Sequence, residues 1–123
     1  VDTALREAEE ETGLSRSLVA PLGFLGRYDT ITGYRMTAVV GVVQGPVEFV
    51  PDRSEVDEVF CVALEYVADP DQYSHQHVQY QGENYHLLTL NHARHRIWGA
   101  TAALLYQFGQ TLNPDASWRA DAV

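Results

Sequence analysis

Along the first dozen residues, small and apolar positions recur at helical spacing among acidic ones. Ala4, Leu5, Ala8 and Thr12 fall on one side of a helix turning about 100° per residue, a face suited to packing. Ala4 to Thr12 is rich in helix formers and Gly13 supplies a stop. Asp2 is placed either as the N-cap or inside a longer helix. The period then changes. Leu18 to Tyr28 carries Leu22, Phe24 and punctuating glycines, and Tyr34 to Val43 is dense in β-branched residues. Asp29 to Gly33 between them reads as a turn, so the pair is predicted to form an antiparallel hairpin with a long loop. Gly45 to Ser54 holds two prolines and reads as a loop. A short strand is predicted at Glu58 to Val62, and one or two helical turns at Leu64 to Ala68. Val78 to Gln81 and Tyr85 to Leu90, split by Gly82-Glu83-Asn84, predict a second hairpin. Arg96 to Phe108 reads as a helix with Ile97, Thr101, Leu104, Leu105 and Phe108 on one face. From about residue 113 to 123, beyond Asn113-Pro114, the chain is small and polar and is expected to fray.

Composition narrows the class. With 123 residues, 46% hydrophobic and 20% charged, the chain is expected to be one globular domain able to bury a core without disulfide staples. Its single cysteine, Cys61, excludes an intrachain disulfide framework and points to a reducing, cytoplasmic setting. The apolar runs, such as Thr37 to Val43, are too short to span a bilayer, and no signal peptide is visible, so no membrane partner is expected. Eight basic against seventeen acidic residues give a net charge of −9, which repels phosphate backbones and argues against nucleic acid as a partner. All eight basic residues are arginine, so neither a P-loop lysine nor Schiff-base chemistry is available.

The sharpest chemical signal lies on the first helix. With Glu7 at 0°, Glu11 falls near 40° and Glu10 near −60°, while Glu9 points away near 200°, taking roughly 100° per residue. Like charges three and four residues apart repel, and a divalent cation would relieve that cost. Carboxylate oxygens with open water positions suit Mg²⁺ or Mn²⁺ and hence phosphate substrates. Arg6, on the flank, can orient a carboxylate or pair with Glu10. The competing reading is a plain solvated face. Glu55 and Glu58, near a predicted strand start, could add a further carboxylate or simply end a loop. His75-x-His77 could chelate zinc from a strand, but with one cysteine and with His86, His92 and His95 in other predicted elements, ordinary surface histidines are the simpler expectation. Trp98 is expected to pack in the core, and Cys61 to be a small buried residue in a strand. Tyr73, Tyr80 and Tyr85 either pack or shape a ligand pocket. No Gly-x-Ser-x-Gly supports a serine nucleophile.

Arg6-Glu7-Ala8-Glu9-Glu10-Glu11-Thr12-Gly13-Leu14 resembles the second half of the Nudix box, Arg-Glu-hydrophobic-x-Glu-Glu-x-Gly-hydrophobic, with every specified position filled. His95-Arg96-Ile97-Trp98-Gly99-Ala100-Thr101-Ala102, Ser54 to Phe60, and Thr32-Gly33-Tyr34 followed by Thr37 to Gly41 resemble the coenzyme A diphosphatase branch of that family. The resemblance covers roughly Ala4 to Phe108. It implies a Nudix-type α/β/α sandwich, of α/β (α+β) class with a mixed sheet. It assigns Glu7, Glu10 and Glu11 to Mg²⁺ or Mn²⁺, Glu7 also to activating water, and Arg6 to holding Glu7. The box spacing places the remaining box glutamate and glycine, and the first strands, upstream of Val1. The expectation is therefore a single Nudix domain over 1–123, incomplete at its N-terminus, that by itself carries only part of the machinery. The implied reaction is hydrolysis of a diphosphate linkage, with coenzyme A the leading small-molecule substrate and 3′,5′-ADP and 4′-phosphopantetheine the products. The alternatives are a Nudix pyrophosphatase acting on ADP-ribose or another nucleoside diphosphate derivative, and a catalytically dead Nudix binding module. Exposed sheet edges would favour a homo-oligomer.

Overall fold

A computed structural model describes residues 1–30 and 32–119. Helix α1 (Asp2–Thr12) is followed by a 3₁₀ turn (Arg16–Leu18), then β1 (Val19–Asp29) and β2 (Arg35–Val43). After an irregular stretch come the short helix α2 (Leu64–Val67), a 3₁₀ turn (Pro70–Gln72), strands β3 (Tyr73–Tyr80), β4 (Glu83–His92) and β5 (His95–Trp98), and helix α3 (Gly99–Leu112). β1 pairs with β2, and β3, β4 and β5 form a second sheet in that order. This is a mixed α+β set of two antiparallel sheets and three helices among the described residues, consistent with the expected α/β/α sandwich. The pairings are antiparallel, so the parallel part of the expected mixed sheet is not among them. No described helix is long and apolar enough to cross a membrane.

The chain forms two compact units. One combines Val1–Phe24 with Val39–Cys61; the other takes Leu25–Ala38 and the chain from Val62 onward. In the first unit α1 carries no fully buried residue. Leu5, Ala8 and Thr12 are half-buried as their spacing requires, but Ala4 is exposed. Val1 stands at the N-cap and Asp2 is already helical, its Oδ1 2.8 Å from Arg16 Nη2. Gly13 ends the helix at φ 75°, as expected of a stop glycine. The predicted strand at Glu58–Val62 is irregular. Val59 and Val62 are half-buried while Phe60 and Cys61 are both exposed, which breaks the alternation that would hold one face inward. Cys61 is accordingly an exposed free thiol, not a buried residue.

The second unit holds the core. Val67, Tyr73, Leu88, Leu90, Ala102, Ala103 and Tyr106 are buried together. Tyr73 and Tyr106 meet edge to face with ring centroids 5.0 Å apart, and Tyr106 meets Trp118 in the same way at 4.9 Å. Gly109 makes this packing possible: a Cβ there would lie 2.4 Å from the Val67 carbonyl oxygen and 2.7 Å from the Trp118 ring. Of the segment expected to fray, Trp118 packs on the core and donates from Nε1 to the Asn113 carbonyl at 2.8 Å. Residues 120–123 lie outside the described residues. The second hairpin is longer than predicted, and its two-residue turn is Gln81-Gly82, both at positive φ. The predicted helix start at Arg96 is corrected too. His92 to His95 make a second turn, β5 pairs with β4 from His95 to Trp98, and α3 begins only at Gly99. Its buried face is Ala102, Ala103, Tyr106 and Gly109, whereas Thr101 is exposed and Leu104, Leu105 and Phe108 are half-buried.

Candidate functional site

The acidic face forms on α1 as its spacing requires. Glu7 and Glu10 are exposed and Glu11 is half-buried. Residues three and four apart on a helix have Cβ atoms about 5–6 Å apart, so Glu10 and Glu11 each neighbour Glu7 on the helix surface. Arg6 turns to Glu10, with Nε 3.9 Å from Oε1, rather than to Glu7; both partners are well exposed. Glu9 leaves the face, and its Oε2 accepts a hydrogen bond from the Arg16 backbone N–H at 3.1 Å. Glu9 therefore ties α1 to the 3₁₀ turn that follows it.

The last turn of the helix is anchored from outside. The Val50 N–H donates to the Thr12 carbonyl and the Asp52 N–H to the Glu11 carbonyl, each at 2.8 Å. These bonds satisfy carbonyls that a helix end leaves open. Gly13 lets the loop approach, since a Cβ there would sit 2.8 Å from Val50 N. The same loop folds on itself beyond Asp52. The Ser54 hydroxyl and N–H donate to Asp52 Oδ1 at 2.7 and 3.1 Å, and the hydroxyl bond is the leading cause that holds the Asp52 carboxyl below its ordinary value. The Glu55 and Val56 N–H groups donate to the Asp52 carbonyl. Glu55 is thus carried on the loop bound to the end of α1, a placement that the sequence could not give. The Asp52-x-Ser54 spacing was the available signal for this turn.

The donor chemistry of the α1 face fits a hard divalent cation, because Glu7, Glu10 and Glu11 offer only carboxylate oxygens. They are not already drawn around one point: among the described residues no group of three or more His, Cys, Asp or Glu side chains is disposed to hold an ion. The same holds for the histidines. His75 and His77 do share a strand, but His75 Nδ1 lies 2.8 Å from His86 Nε2, in hydrogen-bonding contact, and His77 lies against the His86 ring. Trp98 departs from expectation. On β5 Ile97 packs against the core, so by strand alternation Trp98 faces the other way and is 64% exposed. Tyr73 is buried, Tyr85 half-buried and Tyr80 exposed.

Residues 1–82 match the NUDIX domain family model. Proteins described as "Uncharacterized Nudix hydrolase NudL" are similar over most of the chain. That of Yersinia enterocolitica is 32% identical over 113 residues, 92% of this chain and 58% of its own. That of Photorhabdus laumondii is 31% identical over 110 residues, 89% of this chain and 59% of its own. That of Pectobacterium atrosepticum is 30% identical over 107 residues, 87% of this chain and 56% of its own. The chain thus spans between half and two thirds of the length of these relatives.

Proposed function

The chain belongs to the Nudix family, and on that premise we propose that it contributes the carboxylate face of a metal-dependent hydrolase that splits a diphosphate linkage, with coenzyme A as substrate and the cytoplasm as its setting. The observation that supports this reading is the oxygen-only donor face of α1, with its C-terminal turn fixed by the Val50–Asp52 loop. Glu7, Glu10 and Glu11 would hold Mg²⁺ or Mn²⁺. Such an ion, when bound, neutralises diphosphate charge and acidifies water. The protein's own groups do the rest. Glu7 accepts the proton of the attacking water as it adds to one phosphorus and the bridging oxygen departs with the other. Arg6 steadies the acidic face through Glu10. The products are 3′,5′-ADP and 4′-phosphopantetheine.

The test compares two charge-removing changes on one helix, made in the full-length gene product. Glu11→Gln is expected to lower turnover of coenzyme A at saturating Mg²⁺ by orders of magnitude, since charge stabilisation by a metal is a term of several kcal/mol. Glu9→Gln keeps an oxygen to accept from Arg16 N–H and is expected to change turnover by less than about threefold, under 1 kcal/mol. Equal losses in the two variants would refute the assignment. Faster hydrolysis of ADP-ribose than of coenzyme A would refute the substrate.

A further inference from the structure

Within the second unit a cleft of about 410 Å³ is walled by Tyr28, Tyr80, Leu87 and Trp98, with Thr30 and Thr32 also in its lining. That volume lies in the range of small-molecule sites, roughly 300–1,000 Å³. Trp98 and Tyr80 are 64% and 43% exposed, so two large aromatic faces stand in water. Among the described residues no Asp, Glu, Arg or His lines the cleft. These residues offer nothing to neutralise a phosphate and nothing that repels a neutral group. A larger cavity of the same unit, about 640 Å³, is lined by Glu65, Asp69 and Asp71 and is hostile to an anionic ligand. The hydroxyls of the aromatic cleft are partly committed. Thr30 Oγ1 accepts from the Tyr34 N–H at 2.9 Å and lies 3.3 Å from Thr32 Oγ1. Contact with flat aromatic faces, rather than hydrogen-bond reading of an edge, is therefore the recognition on offer. It favours a rigid planar ring over a flexible chain, which would lose conformational freedom on binding.

We infer that this cleft binds the purine base of a nucleoside through Trp98 and Tyr80. The binding needs neither metal nor diphosphate, and it stands apart from the proposed reaction. Because aromatic stacking tolerates any base, adenosine and guanosine should bind with similar affinity.

The chain holds two tryptophans, and in an NMR spectrum of the ¹⁵N-labelled full-length gene product the indole N–H signal of Trp98 is identified by its loss in Trp98→Leu. Trp118 is pinned to the Asn113 carbonyl and serves as an internal reference for the fold. Adenosine, added without metal, is expected to shift the Trp98 signal saturably and leave that of Trp118 in place. Followed by calorimetry, because both variants lack the Trp98 signal, Trp98→Leu should weaken adenosine binding about tenfold, and Trp98→Phe, which keeps a ring, should stay within about threefold. The inference is overturned if adenosine leaves the Trp98 signal unmoved, if pantetheine moves it and adenosine does not, or if Trp98→Leu, with its Trp118 signal unchanged, binds as well as the parent. A protein that binds adenosine in this way yet hydrolyses no diphosphate would refute the proposed reaction and leave this site standing.

Discussion

Tyr73 carries a hydroxyl into the core of the second unit and satisfies it there, donating to the Val67 carbonyl at 2.8 Å. Burial, and to a lesser degree the neighbouring Tyr106, raise its pKa above the ordinary value of 10.0. The sign follows directly. Above pH 10 the unfolded chain loses this proton while the folded chain keeps it, so stability present below pH 10 falls as pH rises toward the folded value. Tyr73→Phe is expected to lose about 0.5–1.5 kcal/mol at pH 7 from the missing hydrogen bond and to flatten the alkaline decline. Urea melts at pH 7 and at alkaline pH check both. Asp52 runs the other way. Its carboxyl, lowered by Ser54, favours the folded loop above the ordinary value of 3.8, and that preference is lost as pH falls through the lowered value. Ser54→Ala should move the Asp52 titration, followed by NMR, up toward 3.8. At this scale the glutamate face was legible, because a helix fixes which residues are neighbours. The exposure of Trp98 was not, because its direction depends on a strand pairing with β4 that no local pattern announces.

The first helix and its stop were readable for a local reason: Gly13 both ends α1 and admits the Val50 loop. Gly13→Ala would place a Cβ at φ 75° and 2.8 Å from Val50 N. It is expected to cost at least about 1–2 kcal/mol in chemical denaturation, because an L-residue resists the left-handed conformation. Gly23→Ala is the control; nothing lies within 4 Å of its Cβ position, and it should be neutral or mildly stabilising. Both hairpins were legible from β-branched runs and turn residues. The errors cluster where tertiary pairing overrides local preference. Residues 95–98 have no strong strand signature of their own, yet they add to β4 and push the helix start to Gly99. Tyr106, absent from the predicted helix face, is the largest of the fully buried side chains, at 0% exposure. At Glu58–Val62 the reverse happened: a short strand was expected, and the broken in–out alternation left an irregular segment.

At the scale of the molecule two surface properties oppose each other. The charge of −9, plain in the sequence, keeps copies apart, whereas the β1–β2 sheet presents apolar side chains to water. Leu22 and Phe24, two residues apart and so on one side of β1, are 68% and 63% exposed. Among the described residues this sheet has two strands, and each leaves an edge that can pair with another chain. The sequence identified the hairpin but not its exposed face, because which side of a strand is covered is decided by distant residues. Val1–Val123 expressed alone is therefore expected to self-associate. Repulsion between like-charged copies is long-ranged and is screened over about 10 Å at 0.1 M salt, whereas apolar contact is not screened. Association should accordingly strengthen with added NaCl, the opposite of what ion pairing between copies would give. Light scattering across protein and salt concentration is the measurement. Leu22→Thr combined with Phe24→Thr keeps β-propensity while removing most of the apolar area, and should shift the population toward monomer. A parent chain that remains a monodisperse monomer at high salt would show that the exposed face of β1 is not adhesive. Association unchanged in the double variant would place the contact elsewhere, at the strand edges rather than on the face.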